Sequence, residues 1–138
     1  RVCKYVSDFA NPRVVKLPNT IILPHLGAST EEAEDNCAMM AIDELKDFIE
    51  NGNITHSVNY PDVHVGPKEQ WNRVCVLHKN IPGAISKITS TILDFNSNII
   101  SFANKSRGEY AYSVFDVEGK VDQDRISALE GIIRVRVI

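Results

Sequence analysis

The order of predicted strands and helices after residue 71 is the feature that most narrows what this chain can fold into. Apolar, strand-like runs follow one another there, with two segments of helical periodicity between them. The predicted elements are a strand over 73–78, a helix over 82–95, strands over 98–104 and 110–117, a helix over 122–130 and a strand over 132–138. This β-α-β-β-α-β order predicts one sheet with its helices packed against it.

The last predicted strand indicates how that sheet is covered. Ile133, Val135 and Val137 alternate with Arg134 and Arg136, so the apolar side chains share one face and the charged ones share the other. We therefore expect helices on one face and a polar second face. Element order and patterning together predict an α+β fold of the ferredoxin-like split type.

Three prolines constrain the beginning of the chain. Pro12, Pro18 and Pro24 exclude a helix that spans them, because proline lacks an amide donor and disfavours helix in the residue before it. Between the last two, residues 20–23 form a short apolar run bounded by turn formers, which predicts a buried strand of the parallel type.

A long helix is predicted next. Ser29 and Glu32 have the spacing of a capping box, and Gly52 is placed to adopt the left-handed conformation after a helix that ends near Asn51. Its apolar positions recur at intervals of three and four residues: Ala33, Cys37, Met40, Ala41, Leu45, Phe48 and Ile49. Periodicity then disappears from residue 54 to residue 70, which predicts a connection between two units.

Composition excludes several classes of protein. With 18 acidic and 15 basic residues the chain has a net charge of -3, so it lacks the clustered positive charge that nucleic acids and anionic membranes require. Cys3, Cys37 and Cys75 are widely spaced, and no histidine pair has metal-ligand spacing, so we expect a reducing, cytoplasmic environment and no metal site. The sequence begins at Arg1, without Met and within a predicted strand, so we expect it to be part of a longer polypeptide.

Two groups of residues could carry chemistry. His25 follows a predicted strand and precedes a helix, where active sites of open α/β folds collect, although a purely structural loop histidine is an equally good interpretation. The second group is the turn from His78 to Gly83, where Asn80, Pro82 and Gly83 precede a helix whose opening amides suit a carboxylate.

Asn98 begins the strand that follows this helix and could add a polar contact. The alternative is that Asn80 only caps the helix, that His78 is an exposed strand end and that Asn98 belongs to a turn.

The run from Leu17 to Ala33, LPNTIILPHLGASTEEA, resembles the signature near the end of the catalytic part of D-2-hydroxyacid dehydrogenases, and SVNYP at 57–61 resembles the segment that leads out of it. This resemblance implies that His25 is the acid/base residue that exchanges a proton with the substrate hydroxyl while hydride moves between substrate and NAD. It also implies that Gly27 and Ala28 lie beside the cofactor. An imidazole suits the role because its pKa lies near working pH.

The family orients this imidazole with a glutamate that precedes a proline. Here Asn11 precedes Pro12, so either Asp8 replaces the glutamate or the partner lies upstream of Arg1. The chain has no glycine-rich dinucleotide fingerprint, so we do not expect it to hold NAD alone.

Residues 71–138 resemble an ACT domain, a module that senses small molecules. In serine-sensitive members this resemblance implies an L-serine site between two ACT domains of a homodimer, formed by His78, Asn80, Pro82, Gly83 and Asn98. Together the two resemblances imply an enzyme of L-serine biosynthesis that uses 3-phosphoglycerate and NAD. Its expected parts are a remnant of the catalytic region over 1–61, a linker over 62–70 and the ACT domain over 71–138. A stand-alone amino-acid sensor and a non-binding oligomerisation domain remain alternatives.

Overall fold

The computed structural model describes residues 4–138, which divide into two compact units. The first unit ends at Ala41 and the second comprises Ile42–Ile138. The strand expected at Arg1 and the environment of Cys3 lie outside the described residues. No helix in the described range is long and apolar enough to cross a membrane.

The first unit contains a small parallel sheet. Strand β1, Tyr5–Ser7, pairs with strand β2, Thr20–Ile22, in parallel register. The predicted parallel strand is therefore confirmed, but the prediction that it is buried is wrong, because Ile21 is 42% exposed. A sheet of two short strands cannot bury its own apolar side chains without further layers.

Helix α1, Glu31–Asn51, begins one residue later than the predicted cap implies. Thr30 Oγ1 accepts a hydrogen bond from the Ala33 amide at 3.1 Å and so caps the helix, whereas the Ser29 amide donates to the Leu26 carbonyl within the preceding turn. The predicted end is confirmed, since Gly52 has a φ of 74°. None of the residues of α1 is fully buried, including those of its apolar stripe.

The second unit has the predicted β-α-β-β-α-β order. Its elements are β3, Asn72–Lys79; α2, Ala84–Leu93; β4, Asn98–Arg107; β5, Tyr110–Glu118; α3, Gln123–Ser127; and β6, Ile132–Val137. The strands form an antiparallel sheet in the order β4-β5-β3-β6, which is the ferredoxin-like arrangement and confirms the predicted fold. Helix α3 is shorter than the predicted 122–130.

One face of this sheet forms the main core with the two helices. Val74 and Val76 of β3 and Phe115 of β5 pack with Ile88 of α2 and Ile126 of α3, all of them buried. Alternate residues of a strand point to the same face of its sheet, which places Val74 and Val76 together on the helix-covered face.

The second face is not polar, so that prediction is wrong. Cys75, Tyr112 and Val114 lie on it and form a second buried cluster with Ile54 and Val63, which pair through an isolated β-bridge. The prediction rested on Arg134 and Arg136 of β6, but β6 is an edge strand and does not represent the apolar central strands β3 and β5. A bulge opposite Leu77 and His78 also interrupts the alternation of β6 beside Ile133, which is exposed.

A buried ion pair joins the sheet to the segment that covers this second face. The Arg73 guanidinium is 1% exposed and donates to both Asp116 carboxylate oxygens, at 2.6 and 3.0 Å. Arg73 Nη1 also donates to the carbonyls of Asn51 and Gly66 at 2.8 and 2.9 Å. Burial acts to raise the pKa of Asp116, but hydrogen bonds from Arg73 and Ser101, together with the positive charges of Arg73 and Lys68, outweigh it and lower that pKa.

We predict that Asp116→Ala lowers the free energy of unfolding by about 3–5 kcal/mol at pH 7, because it leaves the buried Arg73 guanidinium without its partner. The matched control is Glu130→Ala, which removes the exposed partner of Lys87 and should cost less than about 1 kcal/mol. Urea unfolding measures both values, and equal costs would contradict the role given to Arg73.

The same pair predicts a pH dependence. Because the pKa of Asp116 is lowered in the folded state, its contribution is fully present above the ordinary value of 3.8 and is lost as pH falls through the lower folded value. The stability difference between wild type and Asp116→Ala should therefore shrink progressively in acid. A difference that does not change between neutral pH and strong acid would contradict the assignment.

Candidate functional site

The first unit brings His25 and Asp8 together. Because β1 and β2 are parallel, the residues that follow them emerge at the same edge of the sheet. His25 Nδ1 lies 2.7 Å from Asp8 Oδ2, and the Phe9 ring packs against the imidazole with 4.5 Å between centroids. Of the two alternatives for the imidazole partner, the observed contact is the one with Asp8. Both side chains are about half exposed, so a substrate can reach the free Nε2 edge.

Gly27 and Ala28 lie in the exposed turn between His25 and helix α1. The turn is closed by the Ser29 amide, which donates to the Leu26 carbonyl at 3.0 Å. A Cβ added at Gly27 would meet nothing within 4 Å, so the turn has open space beside it in which a large ligand could lie. The residues present fit a cofactor that passes over this turn, but they supply only an edge of such a site. Cofactor binding by these two residues stays a prediction.

In the second unit, Asn80 forms hydrogen bonds that hold the turn from His78 to Gly83 against the end of the β4–β5 hairpin. Its backbone amide donates to the Glu109 carbonyl at 2.8 Å and its side-chain Nδ2 donates to the Gly108 carbonyl at 3.1 Å. Asn80 is therefore not the cap of α2. Gly83 precedes that helix with a φ of 79°, and no side chain caps the helix start. An added Cβ at Gly83 would meet nothing within 4 Å, so the backbone there is open to a ligand.

His78 is buried rather than an exposed strand end, and hydrogen bonds fix the orientation of its imidazole. It is 2% exposed, its Nδ1 donates to the Lys79 carbonyl at 2.9 Å, and its Nε2 lies 2.9 Å from Ser113 Oγ. Ser113 Oγ lies in turn 2.8 Å from Asn104 Oδ1. His78 thus begins a chain of hydrogen bonds that crosses the sheet from β3 through β5 to β4.

Sequence reasoning missed Ser113 and Asn104. The available signal was that Ser113 is a polar residue within a run of apolar residues in strand β5, two positions before Phe115, which faces the helices. A buried hydroxyl at such a position needs a partner, and the nearest strands supply it.

Asn98 lies far from the other predicted effector residues within one chain. It is exposed at the first position of β4 and pairs with Glu118, whereas Asn80 contacts the hairpin at the other end of that strand. A strand of ten residues spans about 30 Å. The structure therefore brings together the turn from His78 to Gly83 but does not bring Asn98 to it.

No three metal-ligating side chains converge anywhere in residues 4–138. Of the cysteines in that range, Cys37 is exposed and Cys75 is buried, and both are free thiols.

The second unit is thus a ferredoxin-like domain with a ligand-accessible turn at one end of its sheet. Among solved structures, the ACT domain from a GTP pyrophosphokinase of Chlorobium tepidum resembles the chain at 15% identity with a TM-score of 0.43, covering 49% of this chain and 95% of that domain. No protein-family model matches the chain.

Proteins named D-3-phosphoglycerate dehydrogenase are similar to nearly the whole chain. The protein of that name from Dictyostelium discoideum is 31% identical over 126 residues, which cover 89% of this chain and 30% of the relative. D-3-phosphoglycerate dehydrogenase 1 from Saccharomyces cerevisiae is 38% identical over 117 residues, 82% of this chain and 24% of the relative. The protein from Haemophilus influenzae is 29% identical over 135 residues, 96% of this chain and 33% of the relative.

The chain therefore spans about a quarter to a third of the length of these curated relatives, and the match lies in their C-terminal part. This confirms the resemblance to dehydrogenases that the motifs around His25 indicated.

We predict that Ser113→Ala lowers the free energy of unfolding by about 1–3 kcal/mol, because it leaves a buried ring nitrogen of His78 and the Asn104 amide without their shared partner. Ser106→Ala, at an exposed position of β4, is the control and should change stability by less than about 0.5 kcal/mol. Urea unfolding measures both, and equal small effects would show that the hydrogen-bond chain does not fix His78.

Proposed function

We propose that this chain is the C-terminal regulatory part of a cytoplasmic, NAD-dependent 3-phosphoglycerate dehydrogenase of L-serine biosynthesis. Its second unit, acting as an ACT domain, binds L-serine as a feedback inhibitor between two copies of the chain. The observation that carries this proposal is the position of Asn80 and Asn98 at opposite ends of the edge strand β4.

Strand β4 has the properties of an edge that pairs with a second copy. It is ten residues long, lies at one end of the sheet order, and carries Ile100 and Phe102 on its exposed surface, the latter 47% exposed. A long exposed edge with apolar side chains favours pairing with another strand.

A two-fold axis through such an edge makes the pairing antiparallel and places the same residues on both sides. Asn98 of one copy then lies near the Arg107 end of β4 in the other copy, which is the end that Asn80 contacts. Two positions that are far apart within one chain are thereby brought together between two chains. A complete ligand site forms only in the pair.

The turn supplies groups that suit an amino acid. The uncapped start of α2 offers backbone amides and a partial positive charge to a carboxylate, and Gly83 presents no side chain that would block the approach. The amide of Asn98 from the other copy can accept from the ammonium group or donate to the hydroxyl of serine. L-serine bound this way bridges two copies and shifts the population of domain arrangements by its difference in affinity.

We predict that L-serine raises the melting temperature of the chain saturably and that D-serine does not. A ligand that binds only the folded state adds about 2.7 kcal/mol at a hundredfold excess over its Kd. Asn98→Ala should abolish the rise, because the carboxamide that completes the site is lost. Differential scanning fluorimetry across L-serine concentrations makes the measurement.

The control is Asn36→Ala, which makes the same chemical change at an exposed position of helix α1 and should leave the serine response intact. A rise of equal size for both enantiomers would contradict a shaped site. The absence of any rise would reduce the domain to an assembly element or a sensor of another molecule.

In the catalytic part, we propose that His25 takes the hydroxyl proton of the substrate and that Asp8 holds the imidazole in place through Nδ1. The contact of 2.7 Å leaves Nε2 as the atom that meets the substrate and stabilises the imidazolium that forms. A complete cofactor domain would hold NAD, which would supply the hydride acceptor. The open turn at Gly27 and Ala28 is where this chain would contribute to the cofactor site.

We predict that His25→Asn lowers kcat about 10²- to 10⁴-fold in a polypeptide that joins this chain to a complete cofactor domain, because the proton acceptor is removed. Asp8→Asn should lower kcat less and alter its pH profile, since it removes only the group that orients the imidazole. Steady-state oxidation of 3-phosphoglycerate with NAD measures both. Unchanged activity in His25→Asn would contradict the assignment, and the chain alone should show no hydride transfer.

A further inference from the structure

A cavity of about 120 Å³ lies on the second face of the ferredoxin-like sheet, away from the edge strand β4. Its lining residues come from α1, β3, β5 and β6: Phe48, Cys75, Leu77, Tyr112, Arg134 and Arg136. Strand register explains why they meet, because Leu77 pairs with both Tyr112 and Arg134, and Cys75 pairs with Arg136. Paired residues of neighbouring strands point to the same face.

Uncompensated positive charge is the first property of this cavity. Neither Arg134 nor Arg136 forms an ion pair with any carboxylate in residues 4–138, whereas Arg73 and Arg125 both do. Burial raises the pKa of the Cys75 thiol and that of the Tyr112 phenol, so both stay neutral at physiological pH. The two guanidinium groups therefore face no negative charge across the cavity.

An unsatisfied donor is the second property. Arg136 donates to the Phe48 carbonyl, and its guanidinium lies over the Phe48 ring with 4.4 Å from Cζ to the centroid. These contacts hold the guanidinium in place but leave Arg136 Nε buried without a hydrogen-bond partner. A buried donor without a partner costs free energy.

Apolar surface is the third property. Phe48 and Leu77 give the cavity an apolar part beside the arginines, and the Tyr112 hydroxyl is already used, since it donates to the Gly52 carbonyl at 2.6 Å. Inorganic anions gain nothing from such surface. A small carboxylate with a short hydrocarbon end matches both parts, because its carboxylate suits arginine donors and its chain suits the apolar wall.

We propose that this cavity is a binding site for a small carboxylate of about four to six non-hydrogen atoms, a size set by comparison with a 150 Å³ protein cavity that holds benzene. Arg134 and Arg136 receive the carboxylate, and Leu77 and Phe48 contact its apolar end. The site is distinct from the proposed serine site, whose residues lie at the turn after β3 and on the edge of β4.

The test is isothermal titration calorimetry of the chain with butyrate, at ionic strength held constant with chloride. Butyrate should bind saturably, and its neutral isostere butyramide should bind at least about tenfold more weakly, because charge-assisted hydrogen bonds are lost. The Arg134 side chain is exposed and takes part in none of the side-chain hydrogen bonds described for residues 4–138. Arg134→Gln should therefore leave the fold intact and weaken butyrate binding by about tenfold.

Two further variants separate the cavity from general charge effects. Leu77→Phe fills the cavity without changing charge and should abolish binding, whereas Arg125→Gln, at an arginine paired with Asp94 elsewhere in the domain, should leave it unchanged. Asn98→Ala should also leave it unchanged, so failure here is distinguishable from failure of the serine site. The absence of saturable binding, equal binding of butyramide, or equal loss in Arg125→Gln and Arg134→Gln would overturn the proposal.

Discussion

The buried guanidinium of Arg73 is the constraint on which the second unit depends. It lies in the central strand β3 and pairs with Asp116 of β5. It also reaches the carbonyl of Asn51 at the end of helix α1 and that of Gly66 in the loop before β3. One side chain thus ties the sheet to the segment that covers its second face. Because a charge so buried is costly unless every donor is used, the path of that segment is fixed. The cluster around Ile54 and Val63 can form only when this path is followed.

That arrangement decides where ligands can reach the domain. The helices cover one face, and the segment from Gly52 to Val65 covers much of the other, so exposed polar chemistry is left to the ends of strands, to the edge of β4 and to the cavity beside Arg134 and Arg136. The turn at Asn80 is such an end. The hydrogen-bond chain from His78 through Ser113 to Asn104 links it to the edge strand. A displacement of the edge strand β4 can therefore be transmitted to the turn at Asn80 through these hydrogen bonds.

The sequence predicted the order of elements well because the strands and helices of the second unit differ in the spacing of their apolar residues. It predicted the second face wrongly, because Arg134 and Arg136 belong to an edge strand and the covering residues Ile54 and Val63 lie in a segment without periodicity. The family resemblance offered Asp8 as one of two alternatives for the partner of His25, but only the parallel pairing of β1 and β2 brings them together. The role of Ser113 depends on cross-strand register, which no local pattern reveals.

The most direct test of the central claim, a serine site shared by two copies, is complementation between Asn80→Ala and Asn98→Ala chains. Each variant alone has a defect in every site, so equilibrium dialysis should detect no L-serine binding. If the two residues act from different copies, mixing equal amounts restores one intact site in each mixed pair, about one quarter of all sites. Mixing that restores no binding would contradict the claim, because both residues would then act within the same copy.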